Sequence, residues 1–193
     1  MNSSSPTTKA NFSKITSLAP TRVDLIGGTL DLWPIHCLFP QGATINFGVE
    51  AFAKVEIEPS EIFCLKSKDL DLEVSGSFQQ VVESEKLRLL SMILEAYWPK
   101  DGPAIKLTTE AMSPPGAGLG GSSCLSVAIA KGLLAAREKC GWNDMEQTDQ
   151  ELIRTVQNIE AKLIHTPTGC QDYWGGLAAV SYTHLTLPTI YSV

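Results

Sequence analysis

The sequence predicts an α+β fold, with strands crowded into the first half of the chain and helices gathering in the second. Two observations carry this. Residues 43–58 (ATINFGVEAFAKVEIE) and 62–76 (IFCLKSKDLDLEVSG) alternate apolar and polar positions, with β-branched residues among them, as half-buried strands do. Later segments repeat their apolar residues at helical spacing: Leu87, Leu90, Leu94 and Tyr97, then Leu152, Val156, Ile159 and Leu163. Strands followed by helices suit segregated layers better than alternating βαβ units.

Taken in order, residues 1–14 are Ser/Thr-rich and lack an apolar run, so they read as a disordered start rather than a signal peptide. Residues 15–18 read as a short strand, and a first glycine segment follows at 21–34 (TRVDLIGGTLDLWP). The alternation of 43–58 predicts a strand pair or long hairpin, and that of 62–76 two more strands. A helix is expected over 86–98, stopping before Pro99, and a strand over 104–109. An alanine-rich apolar helix then starts after a second glycine segment and runs to about Lys139. Thr148-Asp-Gln-Glu151 has the form of a capping box and opens a further helix, which the turn-forming residues of 166–171 end.

Bulk properties narrow the function. The 193 residues carry a net charge of −6, which argues against nucleic acid or an acidic membrane as the main partner. No apolar run approaches the ~20 residues a membrane-spanning helix needs. The cysteines (Cys37, Cys64, Cys124, Cys140 and Cys170) are scattered without a CxxC, so neither a disulfide framework nor a zinc site is indicated, and a cytoplasmic location is expected. Cys124 and Cys170 lie beside glycine-rich segments but read best as small buried apolar residues.

The most informative stretch is 113–124, S-P-P-G-A-G-L-G-G-S-S-C. A glycine loop feeding a helix offers backbone N–H groups and the positive end of the helix dipole to an anion, and a nucleotide phosphate is the natural one. Gly116-x-x-x-x-Gly121 matches the opening of a Walker A loop, but Ser122 and Ser123 stand where Lys and Ser/Thr should follow. Gly116-x-Gly118-x-x-Gly121 also matches a dinucleotide fingerprint. Pro114 and Pro115 precede it, however, and the acidic residue about 20 positions on, Glu138, falls near the end of a helix. A flexible linker is disfavoured by the stiff proline pair and the abrupt helix start.

Phosphoryl transfer needs donors around the phosphates, Mg²⁺ held by oxygen ligands, and a carboxylate or cation near the attacking hydroxyl. Ser122 or Ser123 can offer a hydroxyl to Mg²⁺. Glu160 sits one position past its helix's apolar stripe, and spacing alone favours a solvated site for it. Asp172 follows a glycine turn among aromatics, where burial would make its charge costly without a partner. Arg22 and Asp31 flank the first glycine pair, and their plain reading is a surface ion pair or turn residues.

In these residues the chain resembles the GHMP small-molecule kinases (galactokinase, homoserine kinase, mevalonate kinase, phosphomevalonate kinase). Residues 19–31 (APTRVDLIGGTLD) look like the family's first motif, 115–123 (PGAGLGGSS) like its ATP phosphate loop, and 160–174 like the segment with its metal-binding glutamate and catalytic aspartate. The resemblance covers about residues 15–182 and implies the fold of a GHMP kinase N-terminal domain, similar to the second domain of ribosomal protein S5, with only the start of the C-terminal domain. It implies that the backbone of Pro115, Gly116, Ala117, Gly118, Leu119, Gly120 and Gly121 wraps the triphosphate of ATP. Ser122, with Ser123 as its close neighbour, and Glu160 would hold Mg²⁺, which reverses the solvated reading of Glu160. Asp172 would be the catalytic carboxylate, Arg22 would steady the reacting groups, and Asp31 with Gly28 would meet the substrate.

Two departures refine this. Gly121 stands where the family usually has a first serine, which keeps the loop's backbone donors. Gly27-Gly28-Thr29-Leu30-Asp31 replaces the Gly-Glu-His pattern of galactokinases and looks more like the bacterial heptose-phosphate and related sugar kinases. The expected reaction is ATP-dependent phosphorylation of a sugar or sugar phosphate. The alternatives are a non-catalytic ATP- and sugar-binding sensor, or a kinase for mevalonate or another non-sugar alcohol. Residues 183–193 match no family segment and resemble translated sequencing adapter, so a truncated chain with a non-native tail is expected.

Overall fold

The computed structural model describes residues 12–178 except Pro40, Pro115 and Asn143. Most of the expected disordered start, the expected non-native tail and the loop's Pro115 lie outside the described residues. The chain runs β1 (Ile15–Ile26), α1 (Ile35–Leu38), β2 (Ile45–Pro59), β3 (Phe63–Ser67), β4 (Leu72–Gly76), α2 (Phe78–Val82), α3 (Arg88–Tyr97), β5 (Ile105–Ala111), α4 (Gly121–Lys139), α5 (Asp149–Ile164) and α6 (Gln171–Ala178). This is the mixed α and β architecture the sequence predicts.

The strands form one five-stranded sheet in the order β1-β2-β5-β3-β4, with β3 and β5 parallel and the other pairs antiparallel. Alternation decides which face is covered. Ala53, Val55 and Ile57 of β2 and Ile105 and Leu107 of β5 are buried, while Lys54, Glu56 and Glu58 between them are only half-buried. On that second face Lys14 and Lys54 pair with Glu56. Those two contacts hold the Glu56 carboxyl down at about 2.

Helix α4 lies across β1 and β2 and is flanked by α3, α5 and α6. It is buried nearly all round, including Val127, Ile129, Ala130 and Leu133. Its small residues permit this close approach: a Cβ at Gly132 would sit 3.1 Å from Ile57 Cδ1.

The structure corrects the expected strands in two places. The short strand of 15–18 continues through Ala19-Pro20 to Ile26. It lies at the sheet edge, where a proline without an N–H is tolerated, and the register shifts between Pro20 and Thr21. The expected hairpin of 43–58 is instead one 15-residue strand, which pairs with β1 along its length through a register shift opposite Pro20 and Thr21. Helices α1, α2 and α6 were not anticipated. For α2 the signal is present in Ser77-Phe-Gln-Gln80, a capping box whose two reciprocal bonds both form.

Candidate functional site

Four segments meet at the N-terminal end of α4: the glycine loop, the inner half of β1, the body of α5, and α6. The loop has Gly116, Gly118 and Gly120 in the left-handed region, with φ of 76°, 70° and 66°. Side chains avoid that region, so the alternate glycines allow the loop to take this path. No side chain caps α4, which leaves its first N–H groups for an external anion. Beside the loop a cleft of about 580 Å³ extends past Ser67, Leu70, Lys86, Leu89 and Leu125. Its size and largely apolar walls suit a nucleobase next to its phosphates.

Arg22, only 5% exposed, ties the loop to α6. Its backbone N–H donates to Leu119 O at 3.2 Å and its Nη1 to Gly118 O at 2.8 Å. Its Nε donates to Asp172 Oδ1 at 2.9 Å, and Nη2 meets the same oxygen. The Nε also lies 3.1 Å from Asp24 Oδ1. Thus the partners of Arg22 are Asp172 and Asp24, not the surface pairing with Asp31 that its plain reading suggests. Among the described residues no group donates to Asp172 Oδ2. Burial pushes the Asp172 carboxyl above its usual range, against the pull of Arg22, and Asp24 and Asp31 add to the rise. Cys124 Sγ donates weakly to the Asp172 carbonyl at 3.8 Å. Burial first, then the Asp172 charge, push the Cys124 thiol up to about 12, so this fully buried cysteine stays an inert packing group.

Glu160 is 7% exposed, which overturns the solvated position that spacing alone favours. Leu152, Val156 and Glu160 follow one another at steps of four, so the carboxylate continues the buried line of α5. Ser122 Oγ donates to its Oε1 at 2.5 Å, Ser123 Oγ to its Oε2 at 3.1 Å, and Tyr173 OH to Oε2 at 2.6 Å. An all-oxygen set of one carboxylate and a neighbouring hydroxyl, placed where the glycine loop joins α4, fits Mg²⁺. That ion takes one or two protein carboxylates and completes its octahedron with phosphate and water.

Asp31 and Gly28 lie on the α6 side. Asp31 Oδ2 accepts from the backbone N–H of Cys170 and Gln171 at 2.6 and 2.9 Å, and Asp31 Oδ1 is buried without a hydrogen-bond partner among the described residues. Gly169 allows this approach, since a Cβ there would fall 2.3 Å from Asp31 Oδ2. Gly28 O accepts from Gln171 Nε2. Asp31 therefore caps α6 from a distant loop. Sequence reading missed Asp24, Gln171 and Tyr173. Asp24 was legible, because it sits two residues from Arg22 on a strand and so shares its face. Gln171 and Tyr173 had no periodicity to betray them, because α6 is only eight residues long.

Comparison with known proteins points the same way. Residues 86–179 match the sequence profile described as the GHMP kinases N terminal domain. A galactokinase of Thermosipho africanus is 30% identical over 156 residues, covering 80% of this chain and 40% of its own length. An L-fucokinase/L-fucose-1-P guanylyltransferase of Bacteroides fragilis is 26% identical, covering 82% of this chain and 19% of its own length. The crystal structure of a D-glycero-D-manno-heptose 1-phosphate kinase from Bacteriodes thetaiotaomicron superposes with a TM-score of 0.70 at 26% identity, covering 84% of this chain and 53% of that one. The chain thus spans about half the length of that kinase, and less of the other two.

Proposed function

Because the chain belongs to the GHMP kinases, we propose that it transfers the γ-phosphoryl group of ATP to a hydroxyl of a sugar or sugar phosphate. The observation that carries this reading is the bridge made by Arg22, whose one guanidinium holds both the Gly118 carbonyl of the phosphate loop and the Asp172 carboxylate. The group that receives a proton is thereby fixed beside the group that cradles phosphate.

In this reading Gly116, Ala117, Gly118, Leu119, Gly120 and Gly121, with Pro115, offer backbone donors to the triphosphate, and the nucleobase occupies the adjoining cleft. Asp172 Oδ2, which takes no donor among the described residues, accepts the proton of the attacking hydroxyl. The hydroxyl oxygen forms its bond to the γ-phosphorus as the bond to the β–γ bridging oxygen breaks, and ADP leaves. Arg22 keeps Asp172 ionised and oriented. Ser122 and Glu160 hold Mg²⁺, which when bound neutralises charge developing on the phosphates. Asp31, with Gly28 beside it, meets the substrate while its Oδ2 holds the start of α6. The three sugar-kinase relatives support a sugar acceptor. No helix among the described residues is long and apolar enough to cross a membrane.

Release of ADP, followed with sugars, sugar phosphates, mevalonate and homoserine as acceptors, tests the proposal. Turnover with a sugar or sugar phosphate is expected. Turnover only with mevalonate or homoserine would contradict the acceptor class. ATP binding with no turnover on any acceptor would leave a nucleotide-binding sensor instead.

A further inference from the structure

The two oxygens of Glu160 have different surroundings. Oε1 meets Ser122, an exposed residue at the mouth of the phosphate loop. Oε2 faces inward and takes two donors, Ser123, 4% exposed, and Tyr173, which is fully buried. Thr168 Oγ1 lies 3.3 Å from the Tyr173 hydroxyl and fixes the ring's tip from the other side.

From this asymmetry we infer that Tyr173 is a positioning residue for the metal carboxylate: with Ser123 it clamps Glu160 through Oε2, leaving Oε1 and the Ser122 hydroxyl as the pair turned toward Mg²⁺. The inference rests on the magnesium reading given above, in which Ser122 is the serine ligand, and gives Ser123 a separate part. It also gives α6 a double role. Asp172 and Tyr173 are consecutive and so project about 100° apart around the helix axis. One is held by Arg22 on β1, the other holds Glu160 on α5. A single short helix thus sets the position of the catalytic carboxylate and the orientation of the metal carboxylate together.

Partners that hold a ligating carboxylate in place typically change metal affinity 10- to 100-fold when removed. The test uses the whole chain saturated with ADP and Mn²⁺ as the probe, free Mn²⁺ being read by electron paramagnetic resonance. Tyr173→Phe keeps the ring and loses only the hydroxyl, and is expected to weaken Mn²⁺ binding about 10- to 100-fold while metal-free ADP affinity stays at the wild-type value. Ser123→Ala is expected to move Mn²⁺ affinity in the same direction, and it decides the matter if Tyr173→Phe does not fold. A purely structural tyrosine would lower the melting temperature without this selective loss of metal. Wild-type Mn²⁺ affinity in the folded variants would overturn the clamp. A wild-type protein that binds ADP but no Mn²⁺ would overturn the magnesium reading itself, and the clamp with it.

Discussion

At Asp172 two opposing effects meet on one carboxyl. Burial raises its pKa, and Arg22 lowers it less than burial raises it. A general base must be ionised, so activity is present above this raised pKa and is lost as pH falls through it. The acid limb of kcat/KM is therefore expected above the ordinary aspartate range. Replacing Arg22 with Gln removes the lowering influence, so the acid limb of the residual activity should move to higher pH. A limb unmoved by that change would mean that Asp172 does not set it. Asp172→Asn removes the proton acceptor and should reduce kcat by about 10²- to 10⁴-fold while ATP binding, measured by calorimetry, persists. Asp31→Ala is expected to raise KM for the sugar more than KM for ATP. The positions legible in the sequence are those marked by a strong local pattern, such as the glycine loop and the serines that follow it. The burial of Glu160 was legible in the four-residue steps from Leu152, but weighing it against the apolar stripe alone hid this. The partnership of Arg22 with Asp172 links residues 150 positions apart, and no local pattern could disclose it.

Among the elements, the loop and α6 are joined by close approaches that only glycine permits. Gly120 has φ of 66° and its missing Cβ would lie 3.3 Å from Asp172 Cβ. Gly120→Ala should therefore cost about 1–2 kcal/mol for the left-handed backbone alone, and should weaken ATP binding by displacing the loop. Gly169→Ala places a methyl against Asp31 and should detach the distant cap from α6, lowering kcat with little change in ATP affinity. The two variants separate the binding role of one glycine from the positioning role of the other, and equal losses of ATP affinity in both would contradict that division. Helices α4 and α5 were legible from composition and from the Thr148 capping box. Strand β1 was not read to its full length, because a proline normally ends a strand and only edge placement relieves it. Helix α6 escaped because its stability comes from tertiary contacts, the Asp31 cap among them, rather than from its own sequence.

For the molecule as a whole, the sheet and α4 form a rigid frame on which the four site segments hang. Leu133, fully buried on α4, anchors that frame. Leu133→Ala should lose about 2–5 kcal/mol of stability in a denaturant titration, whereas breaking the exposed, solvent-screened Lys68–Glu110 pair should leave the midpoint nearly where it was. The fold class and most elements were visible in the sequence because periodicity is a local signal. The sheet order was not, since β3 joins β5 in parallel across α2 and α3. The central claim is that the glycine loop and the Ser122–Glu160 pair form one Mg·ATP site. Calorimetric titration of ATP into the wild-type protein and Glu160→Gln, each with Mg²⁺ and with chelator, tests it most directly. The account predicts that Mg²⁺ tightens ATP binding in the wild type and that this enhancement disappears in Glu160→Gln; an equal enhancement in both proteins, or no ATP binding at all, would contradict it.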